Sequence, residues 1–246
     1  MLGLPSSVTA CLFDLDGVLT QTAAVHNAAW KQTFDTFLKT WSEQHGQAFV
    51  PFDSGADYHK YVDGRPRADG VRTFLSSRGI TLPEGTPDDD PDQETVNGIG
   101  NRKNLLVLQK IKEGAVEVYP GSVEYLKAVT AAGLRRAVVS ASANCKDVLE
   151  AAGIEGYLEA RVDGVVARDH HLPGKPAPDT FLYGAKLLGV PPEQCAVFED
   201  AQAGVAAGKA GGFGFVVGVD RGGNAQGLAD NGADIVVQDL SELLTR

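Results

Sequence analysis

Short, almost continuous apolar runs punctuate the chain at residues 9–13 (TACLF), 136–139, 160–162, 196–198, 213–219 and 235–237. Runs this short, bounded by polar residues or glycine, predict strands buried on both faces. Between the later runs, apolar residues recur at helical spacing over 123–132, 146–152, 180–188 and 203–210. Three of those segments stop at Gly133, Gly153 and Gly189, as helices commonly do, and Asp179 is in place to cap the helix that starts at residue 180. Strands that alternate with helices require crossover connections, which give a parallel sheet covered on both faces.

The first run breaks this rhythm, because its next strand comes only at residue 136. The intervening segment carries helical patterns instead. Val25, Ala29, Trp30, Phe34, Phe37 and Leu38 share one helical face, and residues 71–75 and 104–111 continue in the same style. Residues 49–64 are mixed and turn-rich, and residues 79–93 contain the acidic run Asp88, Asp89, Asp90 and Asp92, which reads as a solvated loop. No internal repeat is visible. The chain therefore reads as α/β, a doubly wound parallel-sheet core (residues 1–21 and 117–246) interrupted by an α-helical cap domain (residues 22–116).

Composition narrows the class of partner. The 246 residues include 32 acidic and 22 basic side chains, for a formal charge of −10. That balance argues against a nucleic acid or an anionic membrane as partner, yet allows a small anionic substrate at a locally cationic site. No apolar run is long enough to span a bilayer, and the first basic residue is Lys31, so no secretory leader is expected. Cys11, Cys145 and Cys195 show no metal-binding or disulfide spacing and read as small buried hydrophobes. A cytoplasmic protein, a monomer or at most a weak dimer, is expected.

Polar clusters follow the predicted strands on one rim of the sheet, where open parallel sheets bind ligands. Asp14 and Asp16 follow the first strand, Ser140–Asn144 the second, Lys175 the third, and Glu199 and Asp200 the fourth. Carboxylates converging in one crevice repel one another unless a hard cation joins them, and oxygen ligands of this kind suit Mg²⁺. One carboxylate can attack phosphorus, and a second, two residues on, can move a proton at the leaving oxygen. A serine hydroxyl, neighbouring backbone N–H groups and a lysine would hold the phosphoryl oxygens.

The segment FDLDGVL at residues 13–19 resembles the first motif of the haloacid dehalogenase (HAD) superfamily, and Ser140, Lys175 and Glu199-Asp200 match its later motifs in order. Within that superfamily the chain is similar to the β-phosphoglucomutase family, through DLDGVLTQTAAVH (14–26), Trp30, VYPG (118–121), SASAN (140–144), GKPAPD (174–179) and EDAQAG (199–204). The resemblance implies Asp14 as nucleophile and Asp16 as general acid/base. It also implies Mg²⁺ on the Asp14 and Asp200 carboxylates and the Asp16 backbone carbonyl, with Glu199 in or beside that shell. Ser140, Ala141, Ser142, Asn144 and Lys175 become the phosphate-binding candidates of the core.

Two outcomes stay open. A mutase, interconverting β-D-glucose 1-phosphate and glucose 6-phosphate through a bisphosphate, must exclude water and grip the distal phosphate of its substrate. A phosphatase acting on a sugar phosphate or other small phosphomonoester could use the same core. The family resemblance places the grip in the cap, at Arg67 of the GRPR segment that begins at Gly64, and at Lys103 and Asn104. It aligns His26 with a histidine that couples substrate binding to the acid/base aspartate, while Trp30 reads equally as cap core or substrate wall. Three positions depart from the family pattern: Gln21 replaces an aspartate, Ala143 a lysine and Ala201 a serine. None of them touches the nucleophile, the acid/base or the metal ligands.

Overall fold

The computed structural model describes residues 2–114 and 116–245. In chain order its main elements are β1 (Ala10–Phe13), α1 (Thr22–His45), α2 (Arg67–Ser77), α3 (Val96–Lys112), α4 (Pro120–Ala131), β2 (Arg135–Val139), α5 (Cys145–Ala152), β3 (Ala160–Val162), α6 (Gly164–Asp169), α7 (Asp179–Leu188), β4 (Cys195–Glu199), α8 (Gln202–Ala210), β5 (Phe215–Val219), α9 (Ala225–Asp230) and β6 (Ile235–Val237). They form two compact units: Met1–Thr22 with Gly64–Pro66 and Val116–Arg246, and Ala23–Asp63 with Arg67–Ala115.

The first unit, the core, holds one parallel sheet in the order β3-β2-β1-β4-β5-β6. Strand order reverses at β1, so β1 and β4 border the crevice at a topological switch point. Successive strand residues face opposite sides of the sheet. Leu12 belongs to a cluster with Val139, Val162, Phe181 and Val197. Its neighbour Phe13 stacks on Phe198 at 4.5 Å, with Tyr125 against both rings. The three cysteines are buried, as the spacing predicts, and burial pushes the Cys195 thiol up to about 12.

Several local expectations need correction. Residue 178, not Asp179, occupies the cap position of α7, and Asp179 is the first helical residue. The helix still ends at Gly189, which takes a left-handed φ of 67°. Residues 164–169 form a helix rather than a loop, because Asp163 accepts hydrogen bonds from the backbone N–H of Val165 and Val166 and so caps it. The short α9 has too little apolar periodicity to be legible beforehand.

The second unit, the cap, is built on aromatic packing. Phe34 touches Trp30, Phe52 and Phe74 at ring distances of 4.9, 5.3 and 4.2 Å. Helix α1 runs past the predicted Leu38 to His45, whose ring stacks on Trp41. Helix α3 starts eight residues earlier than its apolar pattern suggests (Val96 rather than 104), capped by the Thr95 hydroxyl. The acidic run is largely exposed, as expected, but tied down: Asp89 accepts from Thr86 and Thr95, and Arg102 donates to the Pro91 carbonyl. Among the described residues no helix is long and apolar enough to cross a membrane.

The compact units differ from the boundaries expected from the sequence by one residue at each end of the cap, since Thr22 and Val116 fall in the core unit, and by one internal segment. Gly64, assigned above to the cap, belongs with Arg65 and Pro66 to the core unit. Its φ of 69° favours glycine, and a Cβ there would lie 2.8 Å from the Ala201 Cβ. A Cβ on Gly174 would lie 2.0 Å from Pro66 Cγ, so glycines at 64 and 174 allow this segment to lie close against the rest of its unit.

Candidate active site

Sheet register assembles the centre of the site. Phe13 pairs with Val138 on one side and Phe198 on the other, and the Asp14 N–H donates to the Phe198 carbonyl. The next residues on the three strands are Asp14, Val139 and Glu199, brought level at the carboxyl rim. The Lys175 ammonium joins all three. It lies 2.5 Å from Asp14 Oδ1, 2.5 Å from Glu199 Oε1 and 3.0 Å from the Val139 carbonyl oxygen. Lys175 is only 2% exposed and Glu199 fully buried, so these are desolvated ion pairs. The second Glu199 oxygen accepts the Ala201 N–H at 2.9 Å.

Asp16 sits in a different frame. The Thr22 hydroxyl, at the start of α1, donates a short hydrogen bond to its Oδ1, and the Ser140 hydroxyl donates to Oδ2 at 3.3 Å. Thr20 in turn bonds Thr22 at 2.7 Å. Ser140 Oγ also accepts the Ser142 N–H, and Ser142 Oγ accepts the Asn144 N–H, so the loop after β2 is a short ladder of serine-to-backbone bonds. Asn144 is buried, while Ala141 and Ser142 are half-buried at the rim.

Gly17 closes the turn after Asp16. It adopts a φ of 92°, and a Cβ on it would lie 1.8 Å from Asp200 Oδ2, so only glycine lets the turn approach that carboxylate. Its N–H donates to the Thr20 carbonyl at 2.7 Å. In a trans peptide the N–H and the preceding carbonyl oppose each other, so the Asp16 carbonyl points away from Thr20.

Carboxylate oxygens of Asp14, Glu199 and Asp200 lie within 4.8 Å of one another. With Asp16 nearby, four carboxylates face one ammonium, and the excess negative charge has a visible effect. Burial first, then Glu199 and Asp16, push the Asp14 carboxyl well above the usual carboxylate range against the pull of Lys175. Burial alone would lower the Lys175 ammonium, but Asp14 and Glu199 outweigh it and hold it above its ordinary value, so it stays charged. A hard divalent cation fits this all-oxygen, charge-deficient set.

The family match now has a site to explain. The haloacid dehalogenase-like hydrolase family matches residues 8–212. The chain belongs to that family. A β-phosphoglucomutase of Mycobacterium tuberculosis is 57% identical over 247 aligned positions, which cover 99% of this chain and 94% of that protein. A β-phosphoglucomutase of Bacillus subtilis is 31% identical, covering 95% and 91% of the two chains. The crystal structure of a β-phosphoglucomutase from Clostridium difficile superposes with a TM-score of 0.73 at 27% identity, covering 96% of this chain and 93% of that one. Membership in the HAD family implies a divalent cation at the Asp14, Glu199 and Asp200 group.

The cap candidates form their own arrangement within the second unit. Lys103, 5% exposed, approaches His26 Nδ1 at 2.7 Å and lies over the Trp30 ring at 4.9 Å. Trp30 is 3% exposed and belongs to the aromatic core, so it is a packing residue that also carries a cation on its face. Asn104 is half-buried on α3. Arg67, at the start of α2, runs beside Gly100 of α3, and a Cβ there would lie 3.2 Å from its Cγ. Burial lowers the Arg67 guanidinium from its ordinary value, and among the described residues no carboxylate pairs with it. Thr22 and Gly17 are site residues to which the sequence reading gave no role. The motif that contains both was the available signal.

Proposed function

We propose that the protein is a phosphosugar mutase that interconverts β-D-glucose 1-phosphate and glucose 6-phosphate through phospho-Asp14 and a glucose bisphosphate. The observation that carries this reading is the 57% identity to a β-phosphoglucomutase over 99% of the chain. That likeness runs through the cap as well as the core, and the cap is where a mutase must differ from a phosphatase.

In this reading the Asp14 and Asp200 carboxylates and the Asp16 carbonyl oxygen would hold Mg²⁺. Glu199, its oxygens engaged by Lys175 and the Ala201 N–H, stands beside it. When bound there, the cation would offset the excess negative charge and polarise the phosphoryl oxygens. The residues do the rest. Asp16 takes the proton from the sugar 6-hydroxyl as that oxygen attacks the phosphorus of phospho-Asp14, which frees the Asp14 carboxylate. After the bisphosphate turns round, Asp14 attacks the phosphorus at C1. The bond from that phosphorus to the sugar oxygen breaks, and Asp16 returns the proton to that oxygen. Ser140, the backbone N–H of Ala141 and Lys175 hold the phosphoryl group, and Ser142 and Asn144 shape the loop that presents those donors. Arg67, with Lys103 and Asn104, binds the phosphate that is not being transferred, because a guanidinium fork suits a phosphate and no carboxylate among the described residues pairs with Arg67. His26 orients Lys103. The same reading carries a cytoplasmic location and a monomer or weak dimer.

Phosphorus NMR on the protein with β-glucose 1-phosphate, Mg²⁺ and a trace of glucose 1,6-bisphosphate tests it. Accumulating glucose 6-phosphate with no free phosphate is the expected result. Stoichiometric inorganic phosphate would make the protein a phosphatase instead.

A further inference from the structure

The turn that follows Asp16 is gripped by a side chain with no part in the chemistry above. Arg221 follows β5 by two residues, and its guanidinium makes contacts on every side. Nε donates to the Gly17 carbonyl at 3.2 Å. Nη1 donates to the Gln238 carbonyl at 2.6 Å and pairs with Asp239 Oδ2 at 2.9 Å. Nη2 donates to Ser122 Oγ at 3.3 Å, and the plane lies 3.6 Å from the centre of the Tyr119 ring. The Ser122 hydroxyl, fully buried, donates to the Val18 carbonyl at 2.6 Å. Two successive carbonyls of the turn, those of Gly17 and Val18, are thus held from the same cluster. Asp239 is itself fixed by the Ser241 N–H and hydroxyl.

Gly17 is the residue at which a Cβ would collide with the Asp200 carboxylate, and it shares a peptide with the Asp16 carbonyl. A movement of Gly17 therefore changes both at once. We propose that Arg221 is a positioning residue that fixes the Gly17 turn against Asp200 and so sets the spacing of the cation-binding oxygens. The proposal rests on the reading of Asp14, Asp16 and Asp200 as cation ligands. A planar fork suits the task because it can meet several fixed acceptors simultaneously, which a lysine ammonium on a flexible stem cannot.

Two variants of the full-length protein test this, Arg221→Met, which keeps the stem over Tyr119, and Arg221→Lys, which keeps the charge beside Asp239. Calorimetric titration with Mg²⁺ should give a dissociation constant raised about ten- to a hundredfold in both, the usual consequence of losing a residue that orients a ligand. Hydrogen exchange should speed up across residues 15–20, and kcat should fall while KM for the sugar phosphate holds. Faster exchange confined to residues 235–245, with parental Mg²⁺ affinity, would make Arg221 a tether of the C-terminal segment only and overturn the proposal. Full recovery of affinity in Arg221→Lys would overturn it too, since charge rather than the fork would then suffice. If the parent protein binds Mg²⁺ but turns over no sugar phosphate, the mutase reading fails while calorimetry and exchange still decide the role of Arg221. If the parent binds no Mg²⁺, the cation-site reading fails and the proposal falls with it.

Discussion

The core crevice and the cap cluster are built from opposite charges on opposite kinds of scaffold. In the core, Asp14 and Glu199 are anchored at strand ends whose register leaves them little freedom, Lys175 reaches both from the loop before α7, and negative charge exceeds positive. In the cap, Lys103 and Arg67 stand on helices against Trp30 and Gly100, and among the described residues no carboxylate pairs with Arg67. Buried charge without a counter-ion is costly unless something arrives to match it. The core group suits a divalent cation, and in the proposed mutase the cap would receive the phosphate that is not being transferred. Under that proposal the core does the chemistry and the cap discriminates among substrates.

Substitutions can break that division of labour. Asp14→Asn should abolish turnover of every phosphate substrate, since an amide is a poor nucleophile toward phosphorus, and mass spectrometry should find no phosphorylated protein. Phosphate trapped on that variant would place the nucleophile elsewhere. Chelation of the divalent cation with EDTA should likewise silence all substrates. Adding Mg²⁺ at a hundred times its dissociation constant should stabilise the fold by about 2.7 kcal/mol, read as a rise in Tm. An unchanged Tm would mean that the core carboxylates do not hold the ion. Arg67→Ala should cost sugar-phosphate isomerisation on the order of 10²-fold, as expected for removing one partner of a desolvated charge pair. Hydrolysis of a small aryl phosphate, which has no second phosphate, should change far less, and equal losses would erase the distinction between core and cap. Trp30→Phe should have the smallest effect, within about 1.5 kcal/mol of stability by denaturant titration because the aromatic stack on Phe34 survives.

The core was legible in the sequence because its chemistry is tied to strand ends. A short apolar run followed by DLDG, or by Glu199-Asp200, announces both the strand and the rim that carries its ligands. Parallel registers then leave Asp14 and Glu199 one neighbourly arrangement. The cap was less legible, since aromatic residues at helical spacing say that a helix has a buried face without saying which helix covers it. Trp30 could not be sorted into core or substrate wall until its stack on Phe34 and the cation above it were visible. Gly64 was assigned to the wrong unit because its closeness to Ala201 depends on two residues far apart in sequence. Arg221 left no signal, for it follows an ordinary strand, and its partners at Gly17, Tyr119, Ser122 and Asp239 converge only in the fold.

The most direct test of the account follows one phosphoryl group. The protein is labelled with radioactive phosphate from glucose 1,6-bisphosphate in Mg²⁺, the position of the label is read by peptide mapping, and the labelled enzyme is then chased with unlabelled β-glucose 1-phosphate. The label is expected on Asp14, and the chase should transfer it to sugar phosphate. Label on another residue, or release as inorganic phosphate, would contradict it.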